Sequence, residues 1–165
     1  MSTITGTSSN NRNSLLRSSV IGGLIIGLLH VIIQIGIFFS LIGKTSFFTD
    51  LQFITSGAIG NAAYAGGFVT ALLGLILEIL MCIIIAGVFI VSANRIPLLR
   101  RYVIPGSLLY GIGVFIVMNF IVLPHSAAPP LPAPTMSQLI EVVLEHILII
   151  GLPLGLLVQR NANTN

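Results

Sequence analysis

Four long runs of apolar residues, separated by polar or proline-rich segments, make up most of this sequence. The runs cover residues 20–42, 66–91, 103–123 and 139–158, and each has at least 20 residues. A helix of about 20 residues, rising about 1.5 Å per residue, crosses the ~30 Å hydrocarbon core of a bilayer. Strands are excluded as spans, because an open sheet edge leaves backbone groups unpaired in lipid. The pattern predicts an all-α fold: an integral membrane four-helix bundle.

The composition agrees with a chain whose surroundings are mostly lipid. Charged residues make up 7% of the chain and hydrophobic residues 55%, whereas a soluble domain carries about 25% charged residues. The net charge of +3 comes from few basic residues. Their positions are explained by membrane topology, so we expect no nucleic-acid partner.

The basic residues are distributed unevenly between the two sides of the predicted bundle. Lys44 lies on one side, and six arginines lie on the other: Arg12, Arg17, Arg95, Arg100, Arg101 and Arg160. Loops rich in Lys and Arg remain in the cytoplasm. An even number of spans places both termini on one side. The sequence therefore predicts a multi-pass protein of the inner (plasma) membrane with cytoplasmic N- and C-termini.

The segments outside the runs differ in character. Residues 1–17 are rich in Ser, Thr and Asn, which predicts a disordered tail, and residues 160–165 form a second short cytoplasmic tail. We expect Lys44–Ala65 to hold a short helix around Asp50–Asn61 that lies along the outer interface. Pro124–Ser137 contains five prolines, which predict an irregular, stiff loop.

The runs and their connections resemble a known group of sequences. The stretch from LQFITSGAIG to MNFIVLPHSAAP, with GGLIIGLL in the first run and GLPLGLLV in the last, is similar to a family of small uncharacterised four-span bacterial inner-membrane proteins. The resemblance covers most of residues 20–158 and implies a fold, without a catalytic motif. The family pattern has Asp in place of His30, His in place of Glu78 and Leu in place of His125. The first two differences look like an exchange of an acid and a base between two helices.

Several polar residues lie inside the predicted spans. Counting along the runs places His30 and Glu78 at mid-bilayer, and His146 about 4 Å to the outer side. Each ionisable group in a span costs roughly 2.5–3.5 kcal/mol, so we expect His30 and Glu78 to face each other. The predicted intramembrane cluster, lining a cleft open to the outer side, consists of His30, Gln34, Glu78, Asn119, Glu145 and His146.

Glycines indicate where helices approach each other closely. Small residues spaced along one face allow backbones to meet in lipid. The predicted packing glycines are Gly23 and Gly27 on the face of His30, Gly67 and Gly74 on the face of Glu78, and Gly106 and Gly113 on the third helix.

These features leave several functions open. A small non-enzymatic membrane component, for scaffolding, assembly or sensing, fits the lack of any motif or soluble domain. Transport or permeation of a small solute, ion or proton fits the polar cleft. A membrane-embedded metal- or haem-binding protein fits the supply of His and Glu, although no Glu-x-x-His spacing occurs. Side chains of Glu145 and His146 point about 100° apart on a helix, so both cannot readily bind one ion.

The remaining expectations concern chemistry and partners. No nucleophile with its base is recognisable, so we expect no enzymatic activity and no cofactor. A buried His30–Glu78 pair fits either a structural clamp between two helices or a proton relay. The expected partner is the lipid bilayer, and the sequence leaves room for a homo-oligomer or a membrane-protein partner.

Overall fold

The computed structural model describes residues 6–33 and 46–163, and all regular secondary structure in these residues is helical. Gln34 and Lys44 lie outside the described residues. The α-helices are α1 (Gly6–Leu29), α2 (Phe47–Ile59), α3 (Ala62–Ala65), α4 (Gly67–Arg95), α5 (Pro97–Arg101), α6 (Val103–Val117), α7 (Met136–Glu145) and α8 (Leu152–Asn163).

Four continuous helical segments in the described residues are long and apolar enough to cross a membrane. We call them span 1 (Asn13–Ile33), span 2 (Gly67–Arg95), span 3 (Val103–His125) and span 4 (Met136–Arg160). Large apolar side chains are exposed along all of them, as at Leu28, Ile84, Leu109 and Leu148. In a membrane these side chains face lipid, which is as apolar as they are.

The polar segment before span 1 differs from the prediction. From Gly6 onward it continues α1 as helix, so the disordered tail predicted over residues 1–17 is wrong for residues 6–17. A helix that is already nucleated by an apolar span adds one hydrogen bond for each further residue it orders. That gain offsets the weak helix propensity of Ser and Asn in this segment.

Spans 1 and 2 pack against each other as an antiparallel pair, which we call hairpin A. Gly23 lies so close to Ile83 that a Cβ at Gly23 would overlap the Ile83 backbone. One turn further along α1, a Cβ at Gly27 would lie 3.4 Å from the Cβ of Cys82. The two predicted glycines of span 1 therefore do form a close helix contact.

Spans 3 and 4 form a second antiparallel pair, hairpin B. A Cβ at Gly111 would lie 2.6 Å from the His146 carbonyl oxygen, and Gly151 abuts the Ser107 carbonyl in the same way. Of the two glycines predicted for span 3, Gly106 abuts the Leu99 side chain, but Gly113 has no described atom beyond its own helix within 4 Å of a Cβ position, so the prediction for Gly113 is wrong. Gly111 and Gly113 lie about 200° apart around a helix at 100° per residue.

The two hairpins meet over a hydrophobic core made of side chains from both. Its buried members are Ile26, Cys82, Ala86, Phe89, Ile90, Val114, Ile150 and Leu154. The Tyr110 hydroxyl also donates a 2.8 Å hydrogen bond across this interface to the Ile85 carbonyl. This core lies on the side of the bundle where the arginines cluster, and we call that side the arginine end.

The opposite side, the α2 end, carries the helix that was predicted between spans 1 and 2. Phe47–Ile59 is helical, which confirms a helix in this segment. The Thr55 hydroxyl donates to the Thr70 carbonyl at 2.6 Å, and Gln52 Nε2 donates to the Gly67 carbonyl at 3.0 Å. These bonds hold α2 against the first turns of span 2, where the Leu51 carbonyl abuts Gly74.

Within the described residues, three of the four spans contain a wider, π-helical turn, which the sequence pattern does not predict. The π segments are residues 30–33, Met118–Val122 and His146–Gly151. In span 4 the cause is visible in the sequence, since Pro153 cannot donate a hydrogen bond to the Ile149 carbonyl. Such turns are frequent at functional sites.

After span 3, residues 126–135 carry no helix, as their prolines predict.

Candidate functional site

The main polar feature of the bundle interior is a histidine held between two carboxylates. Nδ1 of His30 lies 2.8 Å from Oε1 of Glu78, and Nε2 of the same ring lies 3.0 Å from Oε1 of Glu145. Both are ion-pair distances. The sequence-based prediction that His30 and Glu78 meet is confirmed, and the structure adds a second acid to the pair.

The positions of these side chains follow from local packing in hairpin A. Gly23 and Gly27 bring α1 against α4, and their contacts with Ile83 and Cys82 fix the level of the two helices. His30 lies two turns further from the Gly23 contact, at the first position of a π turn, and so comes level with Glu78.

Glu145 reaches the same point from hairpin B. It is the last residue of α7, immediately before the π segment His146–Gly151. Glu145 is buried, with 7% of its surface exposed, whereas Glu141, one turn earlier on the same face, is exposed. The cluster therefore spans three helices and both hairpins, and we call His30, Glu78 and Glu145 the triad.

The two carboxylates have unequal surroundings. Oε1 of Glu78 also accepts a 3.3 Å hydrogen bond from the Cys82 thiol, one turn away on α4. Oε2 of Glu145 is fully buried and has no hydrogen-bond partner among the described residues. A buried carboxylate oxygen without a donor is costly. Glu145 is therefore the less well satisfied of the two acids.

The charges of the triad do not cancel when every group is ionised. One imidazolium compensates one carboxylate, so the fully ionised triad holds one excess negative charge among buried side chains. An uncompensated charge at this depth is expensive. The triad reaches neutrality when one carboxyl group carries a proton or when a cation joins it.

Two other residues of the predicted cluster do not join the triad. Asn119 donates to the carbonyl of Phe115 in its own helix at 3.0 Å. His146 is buried, its Nδ1 donates to the Val142 carbonyl at 2.8 Å, and its ring packs edge-on against Phe115 at 5.6 Å. Glu145 and His146 thus point to different neighbours, as their spacing predicts. Gln34, the remaining member, lies outside the described residues.

The chemistry available to the triad is proton or cation binding. Among residues 6–33 and 46–163, no group of three or more His, Cys, Asp or Glu side chains is arranged to hold a metal ion. Cys82 is a free, buried thiol. Its contact with Glu78 has a signal in the sequence, because residues four apart on a helix share one face.

Comparison of this chain with protein-family models, with curated proteins and with solved structures finds no match.

Proposed function

We propose that this chain is a non-enzymatic, multi-pass protein of the inner membrane, with both termini in the cytoplasm, and that its triad binds an exchangeable proton as part of proton or small-cation movement across the bilayer. We also propose that the chain belongs with the small four-span bacterial inner-membrane proteins that its sequence resembles. The observation that carries it is the second carboxylate, Glu145, on the same imidazole as Glu78.

A helix clamp alone needs only one acid and one base. The His30–Glu78 pair meets that need within hairpin A, at 2.8 Å. Glu145 adds a buried acid whose ionisation leaves an excess charge, and an apolar or amide side chain there avoids that cost. Chains of acids and histidines at mid-membrane serve as proton relays in pumps and transporters. The position of the triad between two packed units is also where transporter sites occur.

The arrangement of charges at the ends of the spans supports the orientation. Arg95, Arg100 and Arg101 are exposed around the short connection between spans 2 and 3. Clusters of this kind remain on the cytoplasmic side. A reporter enzyme fused after Arg101 is expected to be active only in the cytoplasm, and activity on the outer side contradicts the orientation.

Proton flux in liposomes tests the function. The purified chain is reconstituted with a pH-sensitive dye inside, and acidification is followed after a pH step. We expect the wild-type protein to accelerate proton entry, and Glu145→Gln or Glu78→Gln to reduce entry to the rate of empty liposomes.

Glu141→Gln is the matched control, because Glu141 lies one turn from Glu145 and is exposed. It should keep the wild-type rate. A wild-type rate equal to that of empty liposomes contradicts the proposal and leaves the triad as a clamp. Equal losses in Glu141→Gln and Glu145→Gln also contradict it, because the effect is then not specific to the triad.

A further inference from the structure

The interface between the hairpins is built differently from the interior of each hairpin. Inside the hairpins, backbone packs on backbone, as at Gly23 with Ile83 and at Gly111 with His146. Between the hairpins, side-chain ends make the contact: a Cβ at Gly22 would meet the terminal methyl groups of Leu157 and Leu154 at 3.0 and 3.4 Å. Tightly packed backbones move together, whereas side-chain contacts re-form after a small displacement.

The contacts between the hairpins also differ along their length. Toward the arginine end, the shared core around Phe89 and Leu154 and the Tyr110–Ile85 hydrogen bond join the hairpins. At the triad, His30 and Glu145 connect the hairpins. Beyond it, at the α2 end, the Ala127 N–H donates to the Gly57 carbonyl at 3.0 Å, so the tie between the hairpins there runs through an irregular loop and α2 rather than through span-to-span packing.

We propose that Glu145 is the carboxyl group that binds and releases the proton, and that its ionisation sets how closely the two hairpins pack at the α2 end. This inference rests on the proposed function for the presence of an exchangeable proton. Glu145 fits this role because Oε2 is buried and receives no hydrogen bond from the described residues, whereas Glu78 has the Cys82 thiol and remains the partner of His30.

The proposed step is a single protonation of Glu145. A proton from water forms an O–H bond at a Glu145 carboxylate oxygen, and the group loses its negative charge. The charge attraction between Glu145 and the His30 imidazolium is then lost. The hairpins separate at the α2 end, pivoting on the core at the arginine end, and release of the proton restores the contact.

Other titratable groups face this part of the described bundle. They are His30 in span 1, Glu78 and Cys82 on α4, and His146 on span 4 itself. His146 is the strongest competitor for the role, because its Nε2 is an acceptor when Nδ1 donates to the Val142 carbonyl. An experiment must therefore distinguish Glu145 from His146.

Distances between spin labels in the full chain, in lipid nanodiscs, test the inference. A Cys82→Ser background keeps a donor to Glu78 and removes the native thiol. One label pair joins the hairpins at the α2 end (Phe68→Cys with Met136→Cys), and a control pair lies within hairpin B (Phe120→Cys with Met136→Cys). All three positions are exposed, at 66%, 71% and 63%.

Lowering the pH should lengthen the Phe68–Met136 distance by more than about 2 Å, the size of a genuine rearrangement. The Phe120–Met136 distance should stay constant. Glu145→Gln should give the long distance at every pH, and His146→Gln should keep the pH response. A Phe68–Met136 distance that does not change with pH overturns the inference. So does a response that survives Glu145→Gln or disappears in His146→Gln.

The two proposals fail separately. If the distance responds to pH but liposomes show no flux, Glu145 is a proton-controlled contact in a protein that does not move protons. If flux depends on Glu145 but the distance is fixed, proton movement does not involve separation of the hairpins, and this inference is wrong.

Discussion

Nε2 of His30 lies 3.0 Å from Oε1 of Glu145, and this contact joins the two halves of the bundle. The other ring nitrogen of His30 is occupied by Glu78. One imidazole therefore sets the charge balance within hairpin A and between the hairpins.

Loss of Glu78 should destabilise the fold strongly. Removing one partner of a buried ion pair costs about 3–5 kcal/mol, and Glu78→Ala also removes the acceptor of the Cys82 thiol. Glu141→Ala should change stability by less than about 0.5 kcal/mol, because Glu141 is exposed. Thermal unfolding of both variants in the same detergent measures the difference. Equal midpoints for the two variants contradict a structural role for the pair.

Exchanging the acid and the base between spans 1 and 2 should succeed only when the third group is also changed. In His30→Asp with Glu78→His, the new carboxylate of residue 30 faces Glu145 directly, and two like charges meet. Adding Glu145→Gln removes that repulsion and leaves one acid with one base. We expect the triple variant to unfold at a higher temperature than the double variant. A double variant as stable as the wild type argues against the His30–Glu145 contact.

Substitutions at two glycines should have opposite effects. Gly23→Ala places a methyl group on the Ile83 backbone, and overpacking of this kind costs about 1–3 kcal/mol. Gly113→Ala enters open space and should stabilise the helix by up to about 1 kcal/mol, because Ala is the better helix former. Unfolding midpoints of the pair measure both effects, and a destabilised Gly113→Ala contradicts the packing of hairpin B.

The four helices and the His30–Glu78 pair could be predicted from the sequence because both follow from depth. Hydropathy places the limits of spans 2, 3 and 4 within four residues of those observed, whereas span 1 begins at Asn13, seven residues before the predicted start, and its predicted end at residue 42 lies outside the described residues. The helical rise then assigns a level to each polar side chain. An acid and a base at the same level, each on a helix face lined by glycine, are expected to contact each other, because glycine faces pack closely in lipid.

The contact of Glu145 with His30 could not be predicted in the same way. Counting places Glu145 at nearly the right depth, but the choice of its neighbour depends on the π turn at His146–Gly151 and on which glycine of span 3 faces span 4. Pro153 is a sequence signal for the π turn. The choice of glycine is ambiguous in the sequence, since Gly106, Gly111 and Gly113 all look suitable and only close packing selects Gly111.

The most direct test of the central claim is the protonation of Glu145 itself, observed by infrared spectroscopy as the carboxylic-acid C=O band of the protein in lipid. The chain has only four acidic residues, so the band can be assigned by substitution. The account predicts a carboxylic-acid component that grows as the pH is lowered and disappears as the pH is raised, that is absent in Glu145→Gln and that is retained in Glu141→Gln. A wild-type spectrum without a pH-dependent component, or one whose component is unchanged in Glu145→Gln, contradicts the claim that the triad holds an exchangeable proton on Glu145.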